Sequence, residues 1–259
     1  MNYNDYFERD VSNISTEVSN AFVRKVMLNM IGGLFITTLV PIYVFFFNSE
    51  LVYTLARYFK LIALAEVALV FFLSLGINKM SSVTARFLFY VYALMNGILF
   101  SSLAFVFHPI SILYTLGVTT IMFVVIGVYG YTTKEDLTKY SKFLMTGLIT
   151  IIIISLINIF IKAPMLYWVG TILGVVIFSG LIAFDINRIK YIAYNIAGSD
   201  EEMVEKMGII GALNLYLDFI NLFLYLLRIF GKKLEVDYEK ISRNNFSFIL
   251  LSPFSTRKF

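Results

Sequence analysis

A chain of 259 residues in which 59% of the side chains are hydrophobic and 15% charged, with a mean hydropathy of +0.81, does not have water as its main solvent; soluble domains carry about 25% charged residues. The net charge of +4 gives no nucleic-acid signal, because the basic residues gather at the ends of apolar runs and in loops. No cysteine and one histidine exclude disulfides, thiolate metal sites, cysteine nucleophiles and His-rich metal centres, and no cofactor is expected.

The first 25 residues are polar and lack the early apolar core and small-residue cleavage site of a signal peptide, so the segment is expected to stay attached. Long uncharged runs follow, without the alternation of barrel strands. In lipid the backbone must satisfy itself, which leaves helices. Runs near 26–47, 57–77, 85–107, 110–131, 143–161, 165–187 and 207–230 approach the roughly 20 residues of a helical crossing. The fold class read from this is an all-α membrane protein: a polar segment 1–25, one transmembrane domain 26–233 and a tail 234–259. The patch Phe246 to Leu251 in the tail is too short to span.

Several loop and span features have ordinary structural readings. His108-Pro109 reads as a solvated tight turn, and Trp168 as an interface residue. Thr132 with Glu135, and Ser199 with Glu202, fit the Ser/Thr-x-x-Glu pattern that satisfies free donors at a helix start, predicting short polar helical turns. Gly170 and Gly174, four apart, let a neighbouring helix approach closely.

Charge sets the expected orientation. Outside the first six spans, eleven Lys and Arg fall on the N-terminal side and three (Arg57, Lys60, Lys162) on the other, which puts the N-terminus in the cytoplasm. Seven more basic residues end or follow the last run. Seven full crossings place them opposite the N-terminus, a re-entrant last segment returns them to it, and charge favours the re-entrant version.

The informative residues are acids stranded in apolar helices, since an Asp at a helix centre costs about 2.5–3.5 kcal/mol on insertion scales. Asp185 lies in SGLIAFDINRIK, Asp218 in ALNLYLDFINLFLYLLRIFG and Glu66 in LIALAEVALVFF. Asn214, Asp218, Asn221 and Tyr225 follow spacings of four, three and four, one helical face, so the seventh helix belongs at the bundle centre. Asn187 and Arg188 complete a polar layer near Asp185. Two Asp brought together away from water would share a proton and titrate as a pair; deprotonated, they offer a hard oxygen site for calcium. The same acids also read as hydrogen-bonded bundle glue. Glu66 reads equally as structural, with Lys79 or Arg86 as distant partners, or as part of an ion path.

GYTTKEDLTKYSKFLMTGL (130–148), SGLIAFDINRIK (179–190) and ALNLYLDFINLFLYLLRIFG (212–231) resemble the Bax-inhibitor family, the transmembrane Bax-inhibitor-motif proteins, over nearly the whole chain to about Lys233; NGILFSSLAF adds support. The resemblance implies a seven-helix transmembrane bundle with the seventh helix central. Similarity to bacterial members implies a pH-regulated calcium leak in which Asp185 and Asp218 match the paired aspartates of the proton sensor. One departure stands out. Where some relatives place an Arg that bonds the pair, this chain reads SLGINKMSS, with Ile77 at the position and Asn78 and Lys79 the nearest polar residues. A lysine lacks the planar bidentate fork.

The function expected is a pH-sensitive calcium-leak channel of a bacterial cytoplasmic membrane, with lipid, calcium and protons as partners. The alternatives are a proton-coupled calcium exchanger and an interaction protein that modulates membrane proteases or cell-death signalling. An intramembrane aspartyl protease also needs one Asp on each of two helices, but here Asn-Leu-Tyr-Leu-Asp replaces the Gly-x-Gly-Asp context, so no enzyme is expected.

Overall fold

The computed structural model describes residues 3–47, 51, 58–195 and 200–234. Among the described residues the long helices are α1 (Tyr3–Phe47), α2 (Phe59–Gly76), α3 (Ser82–Ser101), α4 (Pro109–Thr132), α5 (Ser141–Ile161), α6 (Pro164–Asn195) and α7 (Glu201–Phe230). Six are long and apolar enough to cross a membrane, and the apolar stretch of α2, Leu61–Gly76, is shorter. The protein is a multi-pass all-α membrane bundle. Large apolar side chains such as Phe160 and Leu75 stand on the outside, 84% and 78% exposed, where a bilayer takes the place of a second protein layer.

Local chemistry explains the helix ends. Ser81 caps α3 by accepting from the Thr84 amide at 3.2 Å. His108 caps α4, its Nδ1 accepting from the Ile110 amide at 3.3 Å, with Pro109 in the first turn where its missing N–H costs nothing. The lone histidine is thus a helix cap. Lys162, at φ 54°, ends α5 in the left-handed region. Thr133 and Asp136 shape the α4–α5 connection, but the short helical turn there (Leu137–Tyr140) is capped by Asp136, which accepts from the Thr138 amide at 2.9 Å; the expected Thr132 cap does not form. Ser199 lies outside the described residues, and Asp200, in the N-cap position before α7, makes no side-chain cap hydrogen bond.

Burial ranks the helices. In α7 72% of the span is buried, against 11% in α5 and 17% in α4, so α7 is the central element. It packs chiefly on α1, α3, α4 and α6, while α2 leans on α3 and α5 on α6. The close approach expected at Gly170 and Gly174 is present: a Cβ on Gly174 would stand 2.6 Å from the Tyr225 ring of α7, and one on Gly170 3.3 Å from Ile154 of α5.

Within the polar N-terminal segment, α1 runs unbroken from Tyr3 into the first span. One sequence expectation changes. The last helix is not re-entrant. Its 30 residues reach about 45 Å, and its end is pinned to the α3–α4 turn, His108 donating to the Lys232 carbonyl at 2.8 Å and Leu234 to that of Val106 at 3.0 Å. That turn lies on the face opposite the start of α1. Backbone continuity and these bonds outweigh the charge tally, which counts residues without knowing where a helix ends.

Candidate functional site

Asp185 of α6 and Asp218 of α7 come together. They are 8% and 5% exposed, within hydrogen-bonding reach of each other, and set in a core that includes Ile182, Ile186, Leu215 and Leu222. Ionised carboxylates only accept, so a hydrogen bond between two carboxyls requires one of them to carry a proton. Asp218 Oδ2 is buried with no hydrogen-bond partner among the described residues. Nor does any cluster of three or more His, Asp or Glu form among them. The pair is two carboxyls in an apolar wall between the central helix and α6.

The remaining residues expected at this layer divide. Arg188, exposed on α6, is the cation whose charge reaches Asp185. Lys79 stands exposed on the turn after α2, with no contact to either aspartate among the described residues. The side chain of Asn78 lies outside the described residues, and Ile77 is buried. Asn214 and Asn221 are half-buried on the α7 stripe, and Asn221 donates to its own helix at Leu217.

Asn187 faces elsewhere. Two residues on from Asp185, it points to the opposite side of α6, is fully buried, accepts from the Leu137 amide at 3.1 Å, and donates to the carbonyls of Gly130 at 3.2 Å and Glu135 at 3.3 Å. It ties the α4–α5 connection to α6 and does not line the aspartate layer. Lys190 helps by donating to the Tyr131 carbonyl at 2.9 Å, at the negative end of α4.

Glu66 has a partner the sequence did not name, the hydroxyl of Tyr92 on α3; Arg86 is engaged elsewhere. On the side of α7 away from Asp218, Tyr216 is fully buried and meets Thr37 Oγ1 of α1 at 2.6 Å. The Thr37 hydroxyl donates toward the carbonyls of Ala93 at 2.8 Å and Gly33 at 3.0 Å, which can only accept, so the tyrosine hydroxyl is the donor to Thr37. Tyr92 packs edge-on against Tyr216, centroids 5.9 Å apart. Gly33 makes room: a Cβ there would stand 2.7 Å from Phe89 and 3.2 Å from Tyr216. A Thr and two Tyr in apolar runs give no signal in one dimension, since only cross-helix packing pairs them.

A second group binds the start of α7 to its neighbours. Glu205 pairs with both Lys25 of α1 and Arg86 of α3. One turn earlier, Glu202 accepts from the amide and hydroxyl of Ser82, at 2.6 and 2.7 Å, and so serves the free donors at the start of α3 from another helix. The spacing of Glu202 and Glu205 is visible in the sequence; that they meet Ser82 and the Lys25–Arg86 pair is not.

The α4–α5 connection carries a pH dependence of known sign. Hydrogen bonds from Lys139 and then Tyr140 hold the Glu135 carboxyl below its usual range, and the Thr138 hydroxyl and amide do so for Asp136. A lowered folded value means a contribution complete above the ordinary carboxylate range, about 4, and lost as pH falls through the lowered value. Protection of the Thr138 amide from hydrogen exchange, corrected for the intrinsic rate, is expected to be flat at neutral pH and to drop below about pH 4. Protection unchanged through that range would show that the carboxylates do not hold the turn.

A family model described as "Inhibitor of apoptosis-promoting Bax1" matches residues 19–235. The inner membrane protein YbhL of Escherichia coli is 41% identical over 184 residues, covering 71% of this chain and 79% of its own. An uncharacterized protein of Borreliella burgdorferi is 39% identical over 222 residues, 83% of this chain and 94% of its own. The protein RP147 of Rickettsia prowazekii is 35% identical over 230 residues.

Proposed function

Because this chain belongs to the Bax-inhibitor family, we propose that it is a pH-sensitive calcium-leak channel whose proton sensor is the Asp185–Asp218 pair. The observation that carries this reading is the meeting of two carboxyls, one from the central helix, in a wall that offers them little else to bond. With one proton between them they hold α6 to α7. With none, two like charges in an apolar setting repel, and the only relief is hydration, a cation or a shift of the helices. Calcium is cargo here. Two carboxylates fall well short of the six to eight oxygens of a resident site, which suits an ion that passes and takes its remaining ligands from water.

The test is calcium flux into proteoliposomes over a pH series for the wild type, Asp185→Asn and Asp218→Asn. Both variants keep the size of the side chain and lose the titration. The expected result is flux in the wild type that follows pH and flux in both variants that does not; variants that conduct and respond like the wild type would sink the sensor. Flux that saturates and needs a counter-gradient turns the reading to a proton-coupled exchanger. Absence of any flux, with a membrane protein co-purifying, turns it to an interaction protein. We read the chain as a non-enzyme despite the paired Asp, since the Gly-x-Gly-Asp context of the aspartyl proteases is missing; Asp-dependent cleavage of a synthetic transmembrane peptide would reverse that.

We place the protein in a bacterial cytoplasmic membrane, as the inner-membrane relative supports, with its N-terminus in the cytoplasm on the loop charges.

A further inference from the structure

The middle of α1 and the start of α3 border an open crevice of about 420 Å³ lined by Ala21, Arg24, Lys25, Leu28, Asn29 and Arg86. It lies apart from the aspartate pair. Three of its six residues are cations, and the acid facing them is Glu205, bound to Lys25 and Arg86. Among the described residues, three positive groups against one carboxylate leave an excess of two. Glu202 does not reduce it, being committed to Ser82 and Lys206. Arg24 is exposed and has no ion pair among the described residues, and Arg86 Nε is buried with no hydrogen-bond partner among them. The crevice thus holds uncompensated charge and an unused donor on the planar group best suited to phosphate.

What borders the crevice narrows the ligand. Along the same two helices, toward the bundle middle, Leu28, Ile31 and Phe35 of α1 and Phe87 of α3 are 61%, 57%, 63% and 65% exposed. The charged residues lie in the first turns of the apolar span Ser19–Val44, where a helix of that length would meet lipid headgroups, and the apolar wall continues from them along the span. A soluble anion would use only the first half of this surface. A zwitterionic lipid would bring an amine with no free acid to receive it. Basic pockets between transmembrane helices are suited to anionic headgroups.

We propose that this crevice is a binding site for an anionic phospholipid, with the phosphate held by Arg24 and Arg86, Lys25 adding charge, and the acyl chains lying along Leu28 and Phe35. The lipid bridges α1 and α3 at the point where Glu205 ties both to the central helix.

The experiment uses the purified full-length chain in detergent micelles, titrated separately with phosphatidylglycerol and phosphatidylcholine and read by native mass spectrometry. The expected result is phosphatidylglycerol adducts that survive collisional activation sufficient to strip phosphatidylcholine. Arg24→Gln is expected to cut those adducts about fivefold, the effect of one basic residue near an anionic surface, while Lys142→Gln, an exposed basic residue on α5 away from the crevice, leaves them unchanged. Arg24 is chosen because its exposed, unpaired side chain can be removed without disturbing the ion pairs, and an unchanged melting temperature verifies this. Inorganic phosphate in excess should not displace the lipid; if it does, the site takes free phosphate and the lipid proposal fails. Equal retention of the two lipids, no effect of Arg24→Gln, or an equal effect of Lys142→Gln would each overturn it.

Discussion

Replacing Asn187 by leucine is expected to lower the unfolding free energy by about 2–5 kcal/mol, because a side chain of similar size leaves three backbone groups without the partners they now have. The Leu137 amide loses its acceptor, and the carbonyls of Gly130 and Glu135 lose their donor. Gly130 sits in the last turn of α4, where no helical N–H follows to replace it. Unfolding in mixed micelles titrated with dodecyl sulfate would measure the loss. Asn221→Leu is the matched comparison, because that amide bonds only a carbonyl of its own helix, and a change of less than about 1 kcal/mol is expected. If Asn187→Leu is as mild as its control, the α4–α5 connection does not depend on α6.

Gly130→Ala is expected to act at the same joint by a different force. A Cβ there would stand 2.5 Å from the Ala183 carbonyl oxygen and 2.9 Å from its Cα. These are backbone atoms of α6, so no rotamer change relieves the contact and the helices must separate. Overpacking costs about 1–3 kcal/mol in well-packed cores, and a clash with fixed backbone belongs at the top of that range. Gly117→Ala on the same helix meets nothing within 4 Å and is expected to be neutral or to gain up to about 1 kcal/mol from helix propensity. Opposite signs for two Gly→Ala changes on one helix would be the signature of close packing. Ala183 lies two residues from Asp185, so Gly130→Ala is also expected to blunt any pH response of flux that depends on the aspartate pair. Equal melting behaviour of the two variants would contradict the close approach of α4 and α6.

The sequence showed the architecture well because each span is its own signal. A run of apolar residues with no charge has few options in lipid, and the seven runs match α1 to α7 with shifts only at their ends. The central place of the last helix was also legible. Asn214, Asp218, Asn221 and Tyr225 share one face, and lipid is a poor solvent for such a stripe. The cost of burying an acid alone marked Asp185, Asp218 and Glu66 as the residues in need of partners, and the resemblance to the Bax-inhibitor family implied that the two aspartates pair. Asn187 shows the limit. Its distance in sequence from Asp185 placed it in the aspartate layer, but a spacing of two residues turns a side chain to the other side of a helix, and there it holds a loop.

What the residues determined by themselves is the solvent, the all-helical bundle of apolar segments and the need for the scarce acids to find company, since all three follow from transfer free energies that act on each segment separately. What only the tertiary structure decided is which groups provide that company: Tyr92 for Glu66, Thr37 for Tyr216, Lys25 and Arg86 for Glu205, and a fully crossing α7 whose end is tied to the α3–α4 turn. A hydrogen bond or ion pair between helices depends on their rotation and relative height. Those are set by the packing of the whole bundle at once, around glycines such as Gly33 and Gly130 whose lack of a side chain fixes how near two helices can come.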